Sequence, residues 1–260
     1  MNLLNLALKG HLNRRIRDFI NNPKTNLEIR GEFNATPLII ASNKGRFDFV
    51  KELIRAGANV NVKSENGRTA LMEACNEGHF DIAKLLIMAG ADVNAKDSEN
   101  GFSSLMFATI EGHLDIVKEL IRAGADINTK YSDGRTALME ACWECHLDIV
   151  KELIKAGANI NAKDIDDRSA IMIASYNNYL NIVIYLANHG ANLNIISKHY
   201  ETVYNITNNN RIKEFLISKN KNLILYSENT LKKMAHYEFI SKQLKHKGFD
   251  TFLKHSKEWL

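Results

Sequence analysis

The chain has 260 residues, 45% of them hydrophobic and 25% charged, which supports a folded core and excludes a wholly disordered chain. Two prolines exclude collagen-like or proline-rich segments, three cysteines are an odd number unsuited to a disulfide scaffold, and no apolar run reaches the roughly 18 residues of a membrane span. The net charge of +4 divides into +4 over residues 1–30, −6 over 31–197 and +6 over 198–260, and an acidic middle is not the basic stripe of a dedicated nucleic-acid binder.

The start, MNLLNLALKGHLNRR, lacks a basic n-region and a small-residue cleavage site, so a cytoplasmic protein is expected. Residues 1–30 keep Gly10-His11 but place Asn22-Pro23 where later segments have a Gly-Ala stop, and read as N-terminal capping helices. From Thr36 the sequence repeats itself without gaps, with copies opening at Thr36, Thr69, Ser103, Thr136 and Ser169. The period is 33 residues, and one extra residue near Ser98–Gly101 lengthens one interval to 34. Residues 31–197 therefore hold five copies. Thr202 opens a shortened, degenerate sixth over 198–220. Beyond it, 221–260 read as a basic helical extension, helical from about Ser227 to Lys247 and from Phe249 to Leu260. Phe249, Phe252, Leu253 and Trp259 share a face there, which either covers the end of the stack or docks a partner.

Each copy predicts a helix, a tight turn, a second helix and a loop. The hydroxyl residues that open the copies are N-caps, and Pro37 sits at the first helical position, where its missing N–H costs nothing. Gly45, Gly78 and Gly112 allow the turn. Pairs such as Ile116/Val117 and Leu120/Ile121 give the second helix one apolar face. A unit this small cannot bury both faces alone, so stacked neighbours must supply the core. The architecture expected is an all-α solenoid.

The pattern Gly-x-Thr-Pro-Leu, Ala, Gly-His, Ile-Val and Gly-Ala-Asp-Val-Asn resembles the ankyrin repeat over about residues 31–220. The resemblance implies L-shaped units with hairpin fingers, and a concave groove of fingers and first helices that binds other proteins. The chain departs at one place: Ile39, Met72, Met106, Met139 and Met172 stand where the family has histidine. That puts the family's inter-repeat imidazole bonds in question and suggests a thioether-packed seam. The loop asparagines Asn61, Asn94, Asn128, Asn161 and Asn194 resemble, in the family, substrates of an asparaginyl hydroxylase of animal cells. As structural residues they would brace their own hairpins.

The sequence Cys142-Trp143-Glu144-Cys145-His146 matches the CxxCH and CxxC patterns. In register, however, Cys142 aligns with the core position of Cys75, and His146 aligns with His79 and His113. Only Cys145 is anomalous, because it replaces a turn glycine and is expected to carry backbone strain. One histidine per repeat lies too far from the next for a shared metal. No nucleophile elbow, P-loop or dinucleotide fingerprint is present, and Glu73 and Glu140 read as solvated helix residues two repeats apart. Neither catalysis nor a cofactor nor a metal is expected.

The reading is of a non-catalytic scaffold or adaptor, a monomer binding an unidentified partner protein through the groove. Ile110, Trp143 and Tyr176 occupy one slot in successive repeats, with Phe102 near by register, and either form an apolar strip or simply pack on each other. Arg68, Arg135 and Arg168 flank them. Glu77, Glu111 and Glu144 would meet basic groups of a mixed-charge partner, and Lys63, Lys96, Lys130 and Lys163 would form a basic margin. The alternative is a targeting module whose basic tail, with Lys232, Lys233, Lys242, Lys245 and Lys247, binds nucleic acid or an anionic membrane.

Overall fold

A computed structural model describes residues 2–219. The expectations for the basic tail, including its role as a cap, a docking helix or a targeting element, lie outside the described residues. Among those described there are helices and isolated bridges but no strand, and no helix is long and apolar enough to cross a membrane. They divide into two units, one ending at Ala162 and the other starting at Lys163.

The first unit contains five helix pairs. They are α1 (Leu3–Lys9) with α2 (Arg14–Ile20), α3 (Pro37–Asn43) with α4 (Phe47–Arg55), and α5 (Ala70–Asn76) with α6 (Phe80–Met88). Two further pairs follow, α7 (Ser104–Ile110) with α8 (Leu114–Arg122) and α9 (Ala137–Trp143) with α10 (Leu147–Lys155). Helices of seven and nine residues are too short to persist alone in water, so packing must hold them. The inner helices α1, α3, α5, α7 and α9 pack in series, and the outer ones α2, α4, α6, α8 and α10 pack behind them. Leu71, Met72, Ala74 and Cys75 of α5 are buried on nearly every side, whereas α8 buries one face through Ile116, Val117 and Leu120. The second unit contains α11 (Ala170–Tyr176), α12 (Leu180–Asn188) and α13 (Asn210–Lys219), with α12 packed against both others.

Thr36, Thr69 and Ser103 cap their helices, accepting from the amides of Ile39, Met72 and Met106. Thr136 and Ser169 hold the same position without that bond. Their backbones are more extended, at φ −114° and −106°, and the hydroxyls do not reach the helix amides. The methionine that replaces the family histidine is buried in all four copies, and at Met72 its sulfur accepts from the Thr69 amide at 3.4 Å.

Imidazole bonds between repeats nevertheless exist, from a different residue. Nε2 of His79 lies 3.0 Å from the Asn43 carbonyl, that of His113 lies 3.2 Å from Asn76, and that of His146 lies 3.1 Å from Ile110. A carbonyl only accepts, so Nε2 carries the proton in each. Each ring rests on the turn glycine of the preceding repeat. A Cβ on Gly78, whose φ is +76°, would come within 2.5 Å of the His113 ring. Glycine is needed there for close approach as well as for handedness.

Of the loop asparagines, Asn61, Asn94 and Asn128 bond across the seam rather than within their own hairpins. Asn94 Nδ2 donates to the Gly124 carbonyl at 3.3 Å while its Oδ1 accepts from the Asp126 amide at 2.8 Å. Asn61 does the same with Gly90 and Asp92, and Asn128 with Gly157 and Asn159. The fingers add one backbone bond per step, Glu65 to Phe33, Ser98 to Asn66 and Ser132 to Asn100. Lys63 is part of this ladder, its Nζ donating to the Lys96 carbonyl at 2.8 Å, so it is not simply a solvated basic margin.

Two stability predictions follow from the seam. Asn94→Ala removes a donor and an acceptor that span two repeats and should lower unfolding free energy by about 1–2 kcal/mol in urea titration. Cys145 adopts φ 63°, so Cys145→Gly should raise the melting temperature, corresponding to about 1 kcal/mol of relieved strain.

Candidate protein-binding surface

The first unit's surface is built from the C-terminal ends of the inner helices and the fingers that precede them. The two meet at a groove of about 630 Å³, where α1 and α3 face the first two fingers. Further along, the side chains expected to contact a partner are held by bonds within the protein.

Arg68 reaches from its finger to α5, with Nη1 3.1 Å from Oε1 of Glu73, and its guanidinium lies 4.3 Å from the ring centroid of Phe107. Asn43 donates to the other Glu73 oxygen at 2.8 Å. Arg135 repeats the arrangement in a two-point form. Its Nε lies 3.1 Å from Oε1 of Glu140 and its Nη2 3.1 Å from Oε2, while the guanidinium sits 4.9 Å from the Trp143 ring centroid. Tyr131 donates its hydroxyl to Glu140 as well.

Glu73 and Glu140 are therefore not solvated helix residues, as the sequence led us to expect. Both are buried, and each neutralises a finger arginine. The sequence carries a signal for this in the spacing of five residues between Arg68 and Glu73 and again between Arg135 and Glu140. Burial raises the Glu140 carboxyl above the usual range, against the opposing pull of the Tyr131 hydroxyl and the Arg135 guanidinium. Burial likewise pushes up the thiols of Cys75 and Cys142, whereas Cys145 is exposed.

Phe102 forms edge-to-face contacts with Phe107 at 5.5 Å and Tyr131 at 4.7 Å, so it belongs to an aromatic cluster under the fingers. Ile110 is half-buried at the end of α7, and Trp143 is 39% exposed at the end of α9. Glu77, Glu111 and Glu144 are exposed at the C-caps of α5, α7 and α9. In the second unit, Tyr176 is 56% exposed, and Arg168 pairs with Asp164 at 2.9 Å and Asp166 at 3.1 Å. Lys163 in that unit lies 3.6 Å from Asp167.

The raised Glu140 carboxyl has a testable consequence. A folded-state value above the unfolded one gives stability that is present at low pH and is lost as pH rises through the folded value. Any stability deficit of Glu140→Gln relative to wild type should therefore shrink between pH 4 and pH 7 in urea titrations. A deficit that widens would mean that Arg135 dominates the carboxyl.

A family model described as ankyrin repeats (3 copies) matches residues 3–97 and 105–197. No curated protein matches the chain. Ankyrin repeats generally mediate protein–protein interaction, and the family is typically a non-catalytic scaffold. Helix pairs stacked in series, fingers joined one bond per step and a family match over most of the sequence lead to one conclusion: the chain belongs to the ankyrin-repeat family.

Proposed function

We propose that the protein is a non-catalytic adaptor that binds a partner protein along the inner helices and fingers, in the cytoplasm or in a host cytosol. In this reading residues 1–30 cap the array, 31–197 are five repeats and 198–220 a degenerate sixth. Arg68, Phe102, Ile110, Arg135 and Trp143 serve the surface of the first unit, with Glu77, Glu111 and Glu144 beside them. Arg168 and Tyr176 are their counterparts in the second unit.

The observation that carries the reading is the Arg135–Trp143 pair. An exposed indole is held against a guanidinium that is itself fixed by two bonds to a buried carboxylate. Aromatic and arginine side chains are common interface anchors, and anchors fixed before association lose less freedom on binding. Arg135 is a poor choice for removal, because its loss leaves Glu140 buried and unpaired. Trp143→Ala is the cleaner variant. It should leave the melting temperature within about 2 °C, as expected of an exposed residue. Affinity capture compared by quantitative mass spectrometry should show bound partners falling at least tenfold, the size expected of an interface anchor. Unchanged capture by the folded variant would overturn the assignment.

A further inference from the structure

We infer that the segment this groove accepts is an extended, basic stretch of a partner polypeptide with an apolar side chain at its α1 end; this rests on the protein-binding reading above. The apolar anchor is read from the first finger. Leu4 and Leu8 of α1, Ile40 of α3 and Phe33 all line the groove there. Phe33 is 70% exposed and adopts φ 53°, a left-handed conformation that bulky residues rarely take. The corresponding finger positions are Asn66, Asn100 and Asp133, none of which has a positive φ. The finger is pinned in this state, with the Glu65 amide donating to the Phe33 carbonyl at 2.8 Å and Arg30 Nη1 to the Asn34 carbonyl at 2.7 Å. Strain that holds a phenyl ring out of the core, beside an apolar groove, points to an apolar group that completes the contact.

The charge of the segment is read from what the repeats leave over. Arg68 and Arg135 are offset by Glu73 and Glu140, so their cations do not face a partner as free charges. Glu77, Glu111 and Glu144 stay exposed, one per repeat. They also sit where inner helices end, beside carbonyls that carry partial negative charge. Glu77 accepts from the Asn43 and Asn76 side-chain amides at 3.4 and 3.0 Å and is still exposed, and a bound cation would be drawn by both the carboxylate and the helix end. At the apolar end the residues before the turn glycines are basic, Lys9 of α1 and Lys44 of α3. This replaces the mixed-charge partner expected when Lys63, Lys96, Lys130 and Lys163 were read as a basic margin for acidic groups, since Lys63 is tied to the Lys96 carbonyl.

Spacing follows from geometry. Packed helices lie about 8–10 Å apart and an extended chain rises about 3.3 Å per residue, so successive carboxylates match a basic residue at roughly every third position.

The test uses the full chain and fluorescence anisotropy. The probe is a fluorescein-labelled Gly/Ser peptide with lysine at every third position and leucine at one end, made in both directions. Controls carry the lysines in one block, glutamate in place of lysine, or serine in place of leucine. One direction of the spaced lysine peptide should bind at least tenfold tighter than the block and glutamate peptides. Glu77→Lys, Glu111→Lys and Glu144→Lys combined should abolish that advantage, with the helical signal and melting temperature unchanged. Phe33→Gly relieves the strained backbone, so it should fold at least as well while losing the preference for leucine over serine. Equal binding of block and spaced peptides, tighter binding of the glutamate peptide, or no binding of any peptide overturns the inference. If that happens while Trp143→Ala still abolishes capture, the groove binds protein of another chemistry; if Trp143→Ala is silent too, the groove reading falls with it.

Discussion

Two short helices expose apolar surface on more sides than they can cover for each other, and everything else in the first unit follows from where the uncovered sides go. Inner helices meet inner helices and outer meet outer, and the helices that meet carry buried leucines such as Leu71, Leu105 and Leu138. No copy is a stable object on its own, and cohesion lives in the seams. The seams are not purely apolar. A histidine resting on a glycine, an asparagine spanning to the next loop and a finger amide reaching the previous finger recur at a fixed offset. These directional bonds fix the register that a greasy contact alone would leave loose.

The same register explains the polar floor of the surface. A carboxylate on an inner helix is buried, and the finger arginine five residues earlier satisfies it. The pair is structural first. At Arg135 the guanidinium also lies against the exposed Trp143 ring, whereas the ring beside Arg68 is the buried Phe107. Surface chemistry is thus what remains after the seams have taken their share, which is why carboxylates at the helix ends outweigh the arginines beside them.

The elements themselves were legible because their punctuation is local. Thr69 before Ala70, Gly78 between two helices and Asp81 in a first turn each act within a few residues, and the helices run where these signals place them. What crosses a seam was harder to read. So was a finger folding back on its own helix: Glu140 looks like any exposed helix acid in a linear pattern, and only the five-residue spacing to Arg135 hints that the finger carrying Tyr131 and Arg135 reaches it. Asn94 likewise has suitable neighbours inside its own loop, yet bonds outward, because the adjacent repeat offers a carbonyl and an amide at the same reach. Thr136 matches Thr69 in type and place but lacks its cap, and its φ is −114° against −100°.

The three cysteines differ in a way that has practical weight. Cys75 and Cys142 are sealed in the core with thiols held protonated by burial, while Cys145 stands in the open two residues after Trp143. An alkylating dye applied to the native chain will therefore attach at a single place, without any engineered residue, beside the indole proposed to anchor a partner. The molecule supplies its own address for an optical reporter, at a spot where a partner seated on the proposed surface would change the surroundings of the dye.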